Sequence, residues 1–115
     1  MIGKNHSKLE LFSRTKSLYL GFYPCLKNFP KNEQQNGIVQ YIDKNFNDAL
    51  VSIMKANSIK SRRKYYLEDA ESNLLMLSIR FDLCLERKYI TEGHYADLEE
   101  KLFEIGNLLG GFMKA

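Results

Sequence analysis

The sequence predicts an all-α protein, an antiparallel up-down-up-down four-helix bundle. In four successive stretches, apolar side chains recur at steps of three and four residues, the spacing that places them on one face of an α-helix. No stretch shows the apolar and polar alternation of a half-buried strand. Only a few residues separate the stretches, and short connections between long helices make neighbouring helices antiparallel.

Length and composition indicate one globular domain. A chain of 115 residues has the size of a single domain, and its 44% hydrophobic and 27% charged residues exclude the disordered and fibrous classes. No apolar run reaches the roughly 18 to 20 residues that span a bilayer, and the N-terminus lacks the apolar stretch of a signal peptide. We therefore expect a cytoplasmic protein without a membrane segment. Residues 1–8, polar and basic, are expected to form a flexible tail before a bundle domain at residues 9–115.

The first predicted helix ends where a proline interrupts the pattern. Its apolar face consists of Leu11, Thr15, Leu18, Phe22, Cys25 and Phe29. Because proline disfavours the α conformation in the residue before it, Phe29 is expected to end this helix. Pro30 suits the first turn of the next helix.

The second and third helices follow the same spacing. The second face consists of Ile38, Ile42, Phe46, Ala49, Ile53 and Ala56. The third consists of Leu67, Ala70, Leu74, Leu77, Phe81 and Cys84. The second helix is expected to end near Ile59, and the strict heptad spacing of the third is typical of the seam of a bundle.

The fourth helix is expected to begin after Thr91. Threonine is a favourable N-cap, and the negative charge of Glu92 suits the helix dipole. Its face consists of Tyr95, Leu98, Leu102, Ile105, Leu109 and Phe112. Each of the four helices is expected to have roughly 20 to 28 residues and a length of about 30 to 42 Å.

The residues that carry chemistry form no recognisable active site, so we predict no enzyme, no metal and no cofactor. The two histidines, His6 and His94, lack the Glu-x-x-His pattern of a di-metal bundle. We interpret Cys25 and Cys84 as reduced core residues. Carboxylates on the third and fourth helices are interpreted as outward, solvated charges: Glu68, Asp69, Glu71, Asp97, Glu99 and Glu100.

Basic residues cluster between the second and third helices. The cluster consists of Lys55, Lys60, Arg62, Arg63 and Lys64. Five cations within ten residues are able to bind phosphates of a nucleic acid, but the simpler interpretation is a solvated turn, since the net charge is only +3. Tyr65 and Tyr66 are able to stack on unpaired bases, but Tyr66 adjoins the core residue Leu67 and is equally able to pack against the bundle.

Two further features have a structural and a functional interpretation. Arg80 and Asn73 lie seven residues apart beside the third apolar face, where a polar ridge specifies either packing or an oligomeric interface. Gly106, Gly110 and Gly111 cost helix propensity, so we expect close packing, within the bundle or between subunits, to compensate. Alternatively, Gly111 ends the helix.

The C-terminal sequence carries a resemblance to a known family. Glu104-Ile105-Gly106, an apolar pair, Gly110-Gly111, Phe112 and Met113-Lys114 resemble the closing motif of the accessory variability proteins of diversity-generating retroelements. The segments Asn28-Phe29-Pro30-Lys31 and Tyr89-Ile90-Thr91, the latter followed by Tyr95, are also similar to that family. The resemblance extends over nearly the whole chain.

The bundle proteins of ribosomal RNA intervening sequences belong to the same superfamily and provide the alternative. They carry Arg-Arg-Ala and Ser-Asn-Ile-Ala-Glu-Gly stretches, where this chain has Lys44-Asn45-Phe46 and Lys55-Ala56-Asn57, so the retroelement branch is favoured. The alternative function is that of a structural or interaction bundle.

The resemblance to the retroelement branch implies a non-catalytic homopentamer. Such a protein binds the element's reverse transcriptase and its template RNA or DNA, and so supports mutagenic copying. With this implication, the nucleic-acid interpretation of the basic cluster becomes the preferred one. Arg80 and Arg87 are expected to contribute to the same interface.

Overall fold

Four α-helices make up most of the described chain. The computed structural model describes residues 10–32 and 37–114, so the tail expected at residues 1–8 lies outside them. The helices are α1 (Glu10–Phe22), α2 (Ile38–Ser58), α3 (Arg63–Glu86) and α4 (Glu92–Lys114). Short 3₁₀ segments at Tyr23–Asn28 and Lys60–Arg62 follow α1 and α2. In the described part of the chain the secondary structure is all-helical, which confirms the predicted fold class.

The core is built from the four predicted apolar faces. All of the residues predicted for the first three faces are buried, as are the four central residues of the fourth, whereas its end residues Tyr95 and Phe112 are half-buried. Phe22, Phe46 and Phe81 meet at the centre, with ring centroids 5.8 to 6.4 Å apart. Helical spacing alone therefore identified nearly all of the core.

Contacts between helices show that neighbours are antiparallel. Between α2 and α3, Asn45 pairs with Asn73 and the earlier Tyr41 with the later Arg80. Between α3 and α4, Ser78 pairs with Glu99, and the later Asp82 with the earlier Tyr95. As residue numbers rise on one helix they fall on its neighbour, which is the antiparallel arrangement. Helix α1 packs against both α2 and α4, and this closes the bundle.

The expected length of the first helix was wrong. Helix α1 has 13 residues, and Tyr23–Asn28 continues it as a 3₁₀ segment. Pro24 explains the change, because proline has no N–H to donate to the preceding turn and its ring clashes there. The tighter segment still buries Cys25 and carries the chain to Phe29, which is also buried. Helices α2, α3 and α4, with 21, 24 and 23 residues, have the expected lengths.

Most of the predicted helix boundaries agree with the structure. The start of the second helix is an exception: helical backbone resumes at Lys31, directly after Pro30, but α2 begins only at Ile38, after the non-helical Gly37. Residues 33–36 lie outside the described chain. Helix α2 ends at Ser58, next to the expected Ile59. At the start of α4, the hydroxyl oxygen of Thr91 accepts a hydrogen bond from the His94 N–H at 3.0 Å, which confirms the predicted N-cap.

The glycines of α4 were predicted only in part. A Cβ added to Gly106, Gly110 or Gly111 would meet nothing within 4 Å, so packing within the described bundle does not compensate for their low helix propensity. Helix α4 continues through Gly111 to Lys114, so this glycine does not end the helix. The expectation that a contact between subunits compensates for the glycines stays a prediction.

One of the six carboxylates is less exposed than expected. Glu99 is half-buried between α3 and α4, where its carboxylate accepts a hydrogen bond from the Ser78 hydroxyl at 3.2 Å. Burial raises the pKa of Glu99, the Ser78 hydrogen bond opposes this effect, and the negative charge of Asp82 adds to it. The other five carboxylates are exposed, as predicted.

Candidate nucleic-acid interface

Backbone hydrogen bonds hold the short turn between α2 and α3 together. At Ile59 the chain leaves the helix, and the Ile59 N–H donates to the Lys55 carbonyl oxygen at 2.7 Å. The Arg62 N–H then donates to the Ile59 carbonyl oxygen at 3.1 Å, and α3 begins at Arg63. We call the five cations at this connection, Lys55, Lys60, Arg62, Arg63 and Lys64, the basic turn.

The cations of the basic turn form no ion pair with a described carboxylate. Among residues 10–32 and 37–114, the ion pairs involve Arg14, Lys44 and Lys101, and none includes a cation of the basic turn. Four of the five cations are exposed, and Arg63 is half-buried. The C-terminal end of the α2 dipole attracts cations, which explains why the fold tolerates them here. The turn is therefore a locally positive surface with side chains available to an anion.

Aromatic rings are interleaved with these cations. The Arg62 guanidinium lies 4.6 Å from the ring centroid of Tyr65, and the Lys55 ammonium lies 5.6 Å from that of Tyr66. The two tyrosine rings meet edge to face at 5.2 Å. Tyr66 is half-buried against the core, whereas Tyr65 is 57% exposed. Of the two interpretations left open for Tyr66, the structure therefore favours packing, whereas Tyr65 is available to a ligand.

Arg63 has a different environment from the other four cations. Its guanidinium lies 5.6 Å from the ring centroid of Phe112 near the end of α4, a cation–π contact. This contact places the basic turn at the same end of the bundle as the glycine-containing end of α4. Arg63 therefore contributes to packing as well as to the charge of the turn.

The two remaining predicted residues, Arg80 and Arg87, lie apart from the basic turn. Arg80 is 17 positions after Arg63 in the same helix, about 25 Å along its axis. The Nε of Arg80 donates to the Asn45 side-chain oxygen at 2.8 Å, and its guanidinium lies 4.9 Å from the centroid of Tyr41. Both arginines line an open cleft of about 290 Å³ toward the opposite end of the bundle. The seven predicted residues thus form two groups, five at the turn and two distant from it.

A row of polar contacts joins α2 and α3, and the sequence predicted only residues of α3 for it. Asn73 and Arg80 form the expected ridge, but their shared partner Asn45 was not identified. Ser52, which donates a hydrogen bond to the Asp69 carboxylate, was also missed. Asn45 and Ser52 directly precede the core residues Phe46 and Ile53, and this position at the edge of the apolar face is the signal that marks them. We call these contacts, which link Ser52, Asp69, Asn73, Asn45 and Arg80, the polar row.

The described residues provide neither a metal cluster nor a membrane-spanning helix. Residues 10–32 and 37–114 contain no group of three or more histidine, cysteine, aspartate or glutamate side chains placed to hold a metal ion. Within the same residues no helix is long and apolar enough to cross a bilayer. Cys25 and Cys84 are buried and form no disulfide within the described residues, as predicted. Burial raises the pKa of the Cys25 thiol, with a further contribution from Asp97.

Comparison with known families agrees with the fold and with the C-terminal sequence. The sequence model of the bAvd-like family matches residues 11–115, which is nearly the whole chain. The chain belongs to the bAvd-like family. No curated protein and no solved structure matches it. Membership confirms the resemblance to accessory variability determinants. Proteins of this family are generally non-catalytic, and membership indicates an accessory role with the machinery of diversity-generating retroelements.

Proposed function

We propose that this bAvd-like protein is a non-catalytic accessory protein that binds the template RNA or DNA of its retroelement through the basic turn. The observation that carries the proposal is the concentration of five cations at one connection, without an ion pair to any described carboxylate. Such side chains replace the counterions of phosphates, which gives strong, salt-dependent affinity with little sequence preference. A protein that acts on template nucleic acid would work in the cytoplasm.

We further propose that the protein assembles as a homopentamer and binds the reverse transcriptase. An exposed apolar face on α3 and α4 supports a protein contact. Leu75, Ile79 and Phe103 are 60%, 51% and 70% exposed, and Leu75 and Phe103 line an open groove of about 270 Å³. Contiguous exposed apolar side chains are typical of interaction surfaces. Light scattering of the purified protein tests the pentamer, and co-purification of Phe103→Ser with the reverse transcriptase tests the second contact.

The nucleic-acid interface is tested by charge reversal at exposed positions. The variant Lys60→Glu/Arg62→Glu/Lys64→Glu avoids Arg63, whose contact with Phe112 would confuse binding with stability. The matched control, Lys16→Glu/Lys27→Glu/Lys31→Glu, makes the same change in net charge at exposed lysines of α1, of the 3₁₀ segment and of the stretch after Pro30, which form no ion pair with a described carboxylate. Fluorescence anisotropy with a structured RNA, repeated over a series of salt concentrations, gives both the affinity and its salt dependence.

The two variants are expected to differ. The turn variant should bind more weakly, and the slope of log affinity against log salt should fall by about 0.7 to 0.9 for each phosphate that the protein no longer neutralises. The control should keep most of its affinity and slope. Equal weakening in both variants would show a response to overall charge. Unchanged binding in the turn variant would refute the proposal and favour the alternative, a structural bundle whose turn cations are incidental.

A further inference from the structure

A groove between α2 and α3 opens directly beside the basic turn. It has a volume of about 460 Å³ and is lined by side chains of both helices, among them Asp48, Ser52, Lys55, Tyr65, Asp69 and Asn73. Lys55 belongs to both the groove and the basic turn, so the two are continuous. A ligand that contacts the cations can therefore extend one of its groups into the groove.

Charge is distributed unevenly between the turn and the groove. The turn is cationic, whereas Asp48 and Asp69 carry negative charge in the groove. Asp48 is neutralised in part by Lys44, whose ammonium lies 2.9 Å from it, and Asp69 accepts the hydroxyl hydrogen of Ser52. A phosphate is repelled by these carboxylates, but an uncharged group with N–H donors is not. The carboxylates thus keep phosphates on the turn and leave the groove to a neutral part of the ligand.

The aromatic side chain at the edge of the groove is suited to a flat ligand. Tyr65 is 57% exposed, and the planar guanidinium of Arg62 lies 4.6 Å from its ring centroid. Nucleobases stack on aromatic rings and on arginine planes when they are not paired in a duplex. A duplex keeps both faces of each base covered by neighbouring bases, so only an unpaired base is able to stack here.

We propose that the groove between α2 and α3 binds an unpaired nucleobase, which stacks on the exposed ring of Tyr65 while the adjacent phosphates of the single strand contact the basic turn, Arg62 included. This inference rests on the proposed function, because the phosphates bring the strand to the turn. It adds the form of the nucleic acid, a single-stranded segment. It also adds a residue, Tyr65, whose contribution does not depend on charge.

Two strands with the same phosphates separate stacking from electrostatic attraction. The probes are a short single-stranded RNA and an abasic strand of equal length, with a duplex of the same RNA sequence as a third probe. The variants are Tyr65→Ala, which removes the ring, and Tyr65→Phe, which keeps it. Tyr41→Ala is the matched control, because Tyr41 is 58% exposed and also lies against an arginine, Arg80 at 4.9 Å, but outside the groove.

The wild-type protein should bind the base-containing strand more tightly than the abasic strand. Tyr65→Ala should weaken binding of the base-containing strand by about 5- to 150-fold, the range for replacing an aromatic side chain that stacks on one base by alanine. The same variant should bind the abasic strand and the duplex as the wild type does. Tyr65→Phe and Tyr41→Ala should resemble the wild type with all three probes.

Two other results would refute base stacking at Tyr65, and neither would by itself refute phosphate binding by the basic turn. Equal weakening with base-containing and abasic strands would mean that Tyr65 acts only by positioning Arg62. Unchanged binding in Tyr65→Ala would mean that no base stacks there. In either case, the phosphate interface would still be supported if the wild type binds the abasic strand and Lys60→Glu/Arg62→Glu/Lys64→Glu does not. Failure of the wild type to bind any strand would refute both the phosphate interface and base stacking.

Discussion

Replacing two glycines of α4 by alanine is expected to stabilise the isolated chain. Gly106 and Gly110 lie inside the helix, and a Cβ at either position would meet no atom within 4 Å. Glycine in a helix interior costs about 0.8 to 1.0 kcal/mol relative to alanine, chiefly because the unfolded glycine has more conformations to lose. The double variant Gly106→Ala/Gly110→Ala should therefore raise the free energy of unfolding by about 1.6 to 2.0 kcal/mol.

The size of the effect in a thermal experiment follows from the length of the chain. An unfolding entropy of about 2.1 cal/mol/K per residue gives about 0.24 kcal/mol/K for 115 residues. Each kcal/mol thus corresponds to about 4 °C, and the double variant should melt about 7 to 8 °C higher. Urea unfolding followed by circular dichroism measures the free energy directly. A suitable control is Gly93→Ala, since Gly93 lies in the first turn of α4 and should give a smaller gain.

Protein concentration distinguishes the two reasons for which a glycine is present. A dilute chain that gains no stability would refute the reasoning, because the single chain offers open space at both positions. A gain when dilute that becomes a decrease when concentrated would have another meaning. Assembly stabilises the folded chain by mass action, so such a decrease would place the glycines in a close contact between subunits.

Four further predictions concern stability and are measured by urea unfolding. Asn45→Ala, which leaves Asn73 and Arg80 without their shared partner, should cost about 1 to 3 kcal/mol. Phe46→Ala should cost about 3 to 5 kcal/mol, because Phe46 is fully buried, and a cost below about 1 kcal/mol would contradict the central aromatic packing. Thr91→Ala should cost about 1 kcal/mol by removal of the N-cap, whereas an unchanged value would show that the cap contributes nothing. Because the folded pKa of Glu99 is raised, chiefly by burial, the native state binds its proton more tightly than the unfolded state. Stability should then fall as pH rises through that pKa, and Glu99→Gln should remove this part of the pH dependence and be more stable than wild type at pH 7.

The fold was predictable because one kind of information, helical spacing of apolar residues, determines most of it. Nearly every residue at a predicted core position is buried, including the polar Thr15, whose hydroxyl donates to the Leu11 carbonyl oxygen at 2.8 Å. The exception is the end of the first α-helix before Pro24, which has a local cause that the spacing of apolar residues does not reveal. The 3₁₀ segment changes the rise per residue but still buries Cys25 and Phe29, so the apolar pattern continues through the break in the α-helix.

The candidate site was predictable only where it is contiguous in sequence. The five cations of the basic turn are neighbours along the chain, so a short connection brings them together. Arg80 and Arg87 are basic like the residues of the turn, but they lie far from it along α3. The groove beside Tyr65 depends on side chains from two helices and on their alignment, which no single stretch of sequence contains.

The polar row explains how this alignment is specified. Helix α3 has a heptad apolar face, so a shift of seven residues against α2 would again place apolar side chains in the core. Such a shift would separate Asn45 from Asn73 and Ser52 from Asp69, and it would leave partly buried polar groups without partners. We infer that these polar side chains select the alignment of α2 and α3 more than they stabilise the fold. Because that alignment also determines the length of the turn and places Tyr65 beside the groove, the residues that select it position the proposed interface as well.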